Sequence, residues 1–372
     1  MTSKTPKKFF KNPYQDRSPV MRYRAGQNVM ITLLAFAFSV SATRLFLEIT
    51  GYPQLGGGNL HIAHVLWGGL FLFAATLIPI IYVNEWAATL SALLSGLGVG
   101  LFIDEVGKFI TSNNDYFFPS AAPIVYVFFL LTVLLVSQVR ITRKKTNRAQ
   151  MYEILERFSE VLDRDLSDYE YKDMTQSLLE VRNSQTDHDL IKLADALLDY
   201  LNSQKPVRES IRPNFLDRAR IFLIKFEKRI LTRARLEKII PFGLLACGIW
   251  SFISPIFFFS VSRDALRLQE FMDQLIIQNL VSNPTSGFTW FETRVILEGG
   301  LGLILIVAAV LIFFKSKKTG TWIGLIALLV GLTLVNLLVF YFDQFSTIVF
   351  AAFQFLILLL LIRYRKRFLN TL

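Results

Sequence analysis

An all-α polytopic membrane bundle, with about eight transmembrane helices and a helical insertion, is the fold class this sequence predicts. Three observations carry it. The chain is 53% hydrophobic and 14% aromatic, with a mean hydropathy of +0.43, which is too apolar for a soluble protein of 372 residues. Its apolar residues gather into runs long enough to cross a bilayer, parted by short polar turns. Its Lys and Arg residues cluster beside the ends of those runs, where they orient a membrane protein.

The elements follow in order. Residues 1–27 are basic, contain proline and hold few aliphatics, so they read as a cytoplasmic arm rather than a cleaved signal peptide. The first span runs from about 28 to 50 and carries Arg44 and Glu48 near its far end. After the glycine-rich turn GYPQLGGGN, a second span covers about 61–83, with a bend expected at Pro79. The third covers about 87–109 and ends in LFIDEVGKFI; the fourth covers about 122–139. Residues 28–139 thus form a four-helix membrane module.

Residues 140–238 break this pattern. They are polar and charged, and apolar positions recur there at helical spacing. Met151, Leu155, Phe158 and Leu162 mark one helix, Tyr171, Met174, Leu178 and Val181 a second, and Leu190, Leu193, Leu197 and Leu201 a third. Thr186 or Asp187 is placed to cap the third. This stretch reads as a cytoplasmic helical domain with a candidate protein partner. Residues 239–363 return to the membrane with spans at about 239–261, 293–314, 320–341 and 344–363. Between the first two of these, residues 262–292 hold an amphipathic segment suited to the interface. Residues 364–372 form a basic tail.

Charge then sets the orientation. Basic clusters lie in the arm, after span four, before span five, between spans six and seven and in the tail. Placing all of them inside predicts an inner-membrane protein with both termini cytoplasmic. The net charge of +11 is accounted for by this flanking role and by membrane lipids as partners, so no nucleic-acid face is expected. The single cysteine, Cys247, excludes an intrachain disulfide.

The charges inside the spans carry the functional expectation. Asp104, Glu105 and Lys108 fall within about one helical turn, and each costs roughly 2.5–3.5 kcal/mol to insert, so a functional or paired role is called for. At about 1.5 Å rise per residue, Arg44 and Glu48 lie roughly 24 and 30 Å along span one, level with that cluster and with His61 and His64 at the start of span two. Asp115 in the next loop and Glu298 in the first turns of span six are additional candidates. Arg44 with Glu48, and Asp104 with Lys108, have the i,i+4 spacing of ion pairs.

His61 and His64 are i,i+3 and present both imidazoles on one face. With a carboxylate they suit a divalent metal such as zinc. Equally, two histidines beside Trp67 suit an interfacial anchor. The row Ala92, Gly96 and Gly100 is expected to let a neighbouring helix pack closely. No HExxH, GxSxG or phosphate-loop pattern is present in the sequence.

The strings LHIAHVLWGGL (60–70) and GLFIDEVGKFITSNNDYFF (100–118) resemble a signature of bacterial polytopic membrane proteins that carry no assigned activity. The resemblance covers roughly the first four spans and implies a shared module there. The membrane hydrolases that include alkaline ceramidases also build a histidine site within helices. This chain, with three histidines and no late paired-histidine motif, departs from them.

Three functions stay open on the sequence. A membrane-embedded hydrolase acting on a lipid or amphiphile would use His61 and His64 for metal, Asp104 or Glu105 as ligand or base, and the 262–292 segment as a lid. An ion- or proton-coupled transporter or sensor would use Asp104 and Lys108 as relay groups. A scaffold or signalling protein would act through residues 140–238.

Overall fold

The computed structural model describes residues 19–51, 63–140, 146–163, 166, 168–184, 188–203, 231–277, 280, 284–314 and 316–369. Every regular element among them is helical, and eight helices are long and apolar enough to cross a membrane. The protein is an all-α polytopic helix bundle.

The spans begin with α1 (Ala25–Thr50), α2 (His64–Ile81) and α3 (Glu85–Asp104). A one-turn helix α4 (Val106–Ile110) follows α3, and α5 (Ala121–Arg140) completes the first group. Three polar helices come next: α6 (Asn147–Leu162), α7 (Asp168–Asn183) and α8 (His188–Ser203). The chain then continues through α9 (Arg233–Trp250), α10 (Ile253–Ser262), the amphipathic α11 (Ala265–Ile277) and α12 (Pro284–Phe313). It closes with α13 (Lys317–Val330), α14 (Asn336–Asp343) and α15 (Ile348–Tyr364). Large apolar side chains such as Phe38, Ile80 and Val349 remain exposed on the spans, as lipid-facing residues do in a membrane bundle.

Contacts divide the chain into two compact units. One comprises residues up to Thr32, Ala75–Leu93 and Leu135–Arg218. Its core lies between α6, α7 and α8, where Met151, Ile154, Met174, Leu178, Val181, Ala194, Leu198 and Leu201 pack together. The three predicted helices are present, and the expected Met151, Phe158, Leu190, Leu197 and Leu201 line or pack against this core, but three expected positions on α6 and α8 turn outward. Leu155, Leu162 and Leu193 are exposed, and Ile154, Ala194 and Leu198 lie inside. The choice of stripe rests on what faces it: Arg157 is buried on the same side of α6, ion-paired to Asp173 at 2.8 Å. The expected caps Thr186 and Asp187 lie outside the described residues. The cap that is seen is Thr146, whose hydroxyl accepts from the Ala149 amide at the start of α6.

The same unit holds a tether. Glu156 accepts from Arg22 Nε at 2.8 Å and from the Tyr23 amide at 2.7 Å. Arg24 pairs with Glu85 at 2.7 Å, and more loosely with Glu170 and Glu160. Its φ of 59° is a left-handed conformation costly for a side-chain-bearing residue. Three carboxylates around one guanidinium supply the reason it is held there. Burial, with Glu170 and Glu85 beside it, pushes the Glu160 carboxyl up to about 8.

The other unit comprises Leu33–Ala74, Leu94–Leu134 and Ala219–Leu372. Its largest core joins α9, α12, α13 and α15 through residues such as Leu244, Leu305, Leu328 and Leu361. Within this unit α2 and α3 cross backbone to backbone. A Cβ on Gly98 would stand 2.8 Å from the Gly68 carbonyl oxygen, and one on Gly100 would stand 2.6 Å from the Ser39 Cβ of α1. Two neighbours therefore share the glycine-rich side of α3, so its small residues serve two contacts rather than one.

A π-helical turn at Gly331–Val335 separates α13 from α14. Such a turn shifts the hydrogen-bond register and leaves a carbonyl to be satisfied from outside. Tyr126 of α5 donates to the Leu332 carbonyl at 2.6 Å. One turn on, buried Asn336 donates to buried Gln354 at 2.9 Å.

Candidate functional site

The site begins with a break. Helix α3 ends at Asp104, Glu105 adopts φ −90° and ψ 10°, and α4 resumes at Val106. That bridge-region backbone is sparsely used and recurs at functional residues. It turns two successive carboxylates inward together: Asp104 is 0% exposed and Glu105 is 1% exposed. The following loop lies flat on Gly107, where a Cβ would come within 2.7 Å of the Asp115 carbonyl oxygen.

Asp104 gathers three side chains. Arg44 Nε donates to Oδ1 at 2.5 Å, and the same guanidinium reaches the Asp104 carbonyl at 3.0 Å. The Tyr116 hydroxyl donates to Oδ2 at 2.7 Å, and His64 Nε2 lies 3.1 Å from that oxygen. Glu105 has its own set: Lys108 Nζ at 2.8 Å, His64 Nδ1 at 3.3 Å and the Val65 amide in the first turn of α2 at 3.4 Å. His64 therefore spans both carboxylates, one ring nitrogen to each.

Aromatic faces close the cationic side. The guanidinium carbon of Arg44 lies 4.2 Å from the Tyr116 ring centroid and 3.8 Å from that of Phe345, geometry that favours a desolvated cation. Burial and the neighbouring Asp104 charge push the Tyr116 phenol up, so it stays protonated and serves as a donor. Asp104 and Arg44 are sealed, whereas the side chains of His64 and Lys108 keep 19% and 25% of their surface. The open side of the network is the His64–Lys108 side.

Of the expected residues, Arg44, His64, Asp104, Glu105 and Lys108 come together. The pairing differs from helical spacing. Arg44 bonds across to Asp104, and Glu48 is exposed on α1. Lys108 pairs with Glu105 rather than Asp104, because the break at Glu105 interrupts the helix between Asp104 and Lys108 and with it the i,i+4 register. His61 lies outside the described residues. Asp115 stays out of the network and caps its own loop, accepting from the Phe117 amide at 2.9 Å.

Its neighbour Tyr116 and the distant Phe345 are members that spacing does not reveal. Tyr116 sits in a loop with no periodicity, and only its closeness in sequence to Asp104 hints at a role. Among the described residues, no group of three or more His, Cys, Asp or Glu is arranged to hold a metal ion.

Glu298 belongs to a second network. Helix α12 starts at Pro284 rather than near 293, so Glu298 lies about 21 Å from one end of the helix and about 22 Å from the other. It is near the middle of α12 and not in its first turns. Arg294, 2% exposed, forks onto Asp343 through NH1 at 2.8 Å and through a second, shorter contact from NH2. Its Nε lies 3.5 Å from Glu298 Oε2, a charge contact too long for a hydrogen bond. Two residues past Asp343, Phe345 covers Arg44, and Gln344 between them donates to the Phe117 carbonyl at 3.0 Å.

Comparison with protein-family models, with curated proteins and with solved structures finds no match to this chain.

Proposed function

We propose that this integral membrane protein acts through binding and release of a proton at His64, as a proton-coupled transporter or proton sensor. One observation carries the reading: each nitrogen of the His64 ring faces a different buried carboxylate, Asp104 at 3.1 Å and Glu105 at 3.3 Å. A neutral imidazole has one N–H and one lone pair. Either tautomer satisfies one carboxylate and turns a lone pair toward the other. An imidazolium donates to both.

The network thus has a place for one more proton, with two near-equivalent ways of holding the ring when that proton leaves. Charge count agrees. Arg44 and Lys108 balance Asp104 and Glu105, so the proton on His64 is the charge the site gains or loses. The partly open His64 and Lys108 side chains provide the route by which it arrives.

The same geometry weighs against the hydrolase reading. A metal held by His61 and His64 needs an imidazole lone pair directed outward, and both His64 nitrogens are turned to carboxylates. Following the basic flanks, we place the protein in the inner membrane with both termini and residues 140–238 in the cytoplasm, and the His64 network toward the outer face. The helical domain is then the surface available to a cytoplasmic partner.

The test is proton flux into liposomes carrying the full-length protein, followed with an internal pH dye under an imposed potential. Wild-type protein is expected to pass or gate protons, with at least a tenfold loss in His64→Gln and in Asp104→Asn. Flux equal to that of empty liposomes removes the transport form of the proposal. Stoichiometric zinc in wild type, lost in a His61→Ala/His64→Ala variant, would favour the hydrolase instead.

A further inference from the structure

A second region of the chain carries buried polar groups that the His64 network does not use. Glu298 Oε2, Arg294 Nε and Ser251 Oγ are all buried without a hydrogen-bond partner. Glu298 and Arg294 meet each other on α12. Ser251 packs against α12 at Gly302, one turn beyond Glu298, where a Cβ would come within 3.0 Å of the Ser251 Cβ. Pro255 packs against Gly299, and the Ser254 hydroxyl neighbours the Glu298 carboxyl.

Opposite this stripe the candidate span Arg233–Ser262 is not continuous. Helix α9 ends at Trp250 and α10 begins at Ile253. A helix interrupted inside a span, beside an ionisable residue near the middle of a helix packed on it, is how membrane proteins form small polar sites.

Arg294 is one cation facing two carboxylates, and its fork of two N–H groups is committed to Asp343. Glu298 Oε2 receives the 3.5 Å charge contact from Nε and, among the described residues, no hydrogen bond. An ionised carboxylate with no hydrogen bond to that oxygen, among apolar helices, is costly enough that such groups are neutralised instead. A metal cation is disfavoured as the neutralising species, because the Arg294 guanidinium occupies the adjacent position. A proton adds no such repulsion and leaves the carboxyl neutral.

We propose that Glu298 is a second proton-binding site, distinct from the His64 centre, facing Arg294 on its own helix, Asp343 on α14 and Ser254 beside the α9–α10 break. The step is a simple one. A proton adds to Oε2 and the carboxylate becomes a neutral acid, with no bond broken and no redox change. Release reverses it and leaves Arg294 shared between two carboxylates.

The experiment is infrared pH-difference spectroscopy on the full-length protein in phosphatidylcholine vesicles, watching the carbonyl stretch of a protonated carboxyl. The expected result is a band in wild type that is lost in Glu298→Gln and kept in His64→Gln. A wild-type spectrum unchanged by Glu298→Gln overturns the proposal, and so does a band displaced by sodium but not by choline, which would mark a cation site.

Because Glu298→Gln can perturb packing, the wild-type protein supplies an independent check. A lipophilic carbodiimide, which modifies protonated carboxyls in apolar surroundings, should label the peptide containing Glu298, and the label should decline at least tenfold as pH is raised. Absence of label at every pH, with other carboxyls modified, also overturns it.

Discussion

Replacing Asp104 by Asn tests whether the buried network is held by charge. The side chain keeps its shape but loses the charge that Arg44 approaches at 2.5 Å. Its amide NH2 is then brought against the Tyr116 hydroxyl, which donates to Oδ2 in the native site, with His64 Nε2 beside the same atom. Removing one partner of a buried ion pair typically costs about 3–5 kcal/mol, because the other charge stays buried and unpaired. Arg44 is poorly placed to escape: its side chain is 9% exposed and held between two rings.

The expected loss for Asp104→Asn is therefore about 3–5 kcal/mol. Arg44→Met should cost a similar amount, and the Arg44→Met/Asp104→Leu double variant should lie closer to wild type than either single change. The assay is a double-mutant cycle on denaturant unfolding of the full-length protein in lipid nanodiscs. Single variants within about 1 kcal/mol of wild type, or a strictly additive double variant, would refute the reasoning. Either outcome would mean that water or relaxed backbone already compensates Asp104.

Two further outcomes follow from the packing. Gly98→Ala forces a Cβ to within 2.8 Å of the Gly68 carbonyl oxygen and should destabilise by about 1–3 kcal/mol, whereas Gly69→Ala, with nothing within 4 Å, should stay within about 0.5 kcal/mol in the same unfolding assay. Glu160 has a folded-state value of about 8 against an ordinary 4.5, so the folded protein binds more protons than the unfolded one between those limits. Stability from this group is then complete below about 4.5 and lost as pH rises through about 8. Protection factors of α6 amides, with the intrinsic rise of exchange with pH divided out, should fall across that window in wild type and stay level in Glu160→Gln; parallel profiles would show that Glu160 is not the titrating group.

The spans were legible because length and apolarity are local properties, and all eight apolar runs appear as helices. The partners were less so. Helical spacing suggested Arg44 with Glu48, but a pairing across helices leaves no trace in the i,i+4 pattern. The helix carrying Glu298 was started near 293 because Glu292 interrupts the apolar run and imitates a loop. The helix nonetheless starts at Pro284, with Arg294 neutralised by Asp343 from a helix far along the chain. On α6, Leu155 and Ile154 are equally apolar, so only the helices packed against it decide which one turns inward.

The Phe345 ring against Arg44 has a consequence for how the protein is made. The two residues are 301 positions apart, as 345 minus 44. At roughly 5–20 residues per second, ribosomal synthesis delivers Phe345 about 15–60 s after Arg44. During that interval the first spans carry a charged arginine lacking one of its two aromatic covers. Assembly of the amino-terminal helices is therefore finished by the last hairpin to emerge, and a chain truncated before α14 should be an early substrate for membrane quality control.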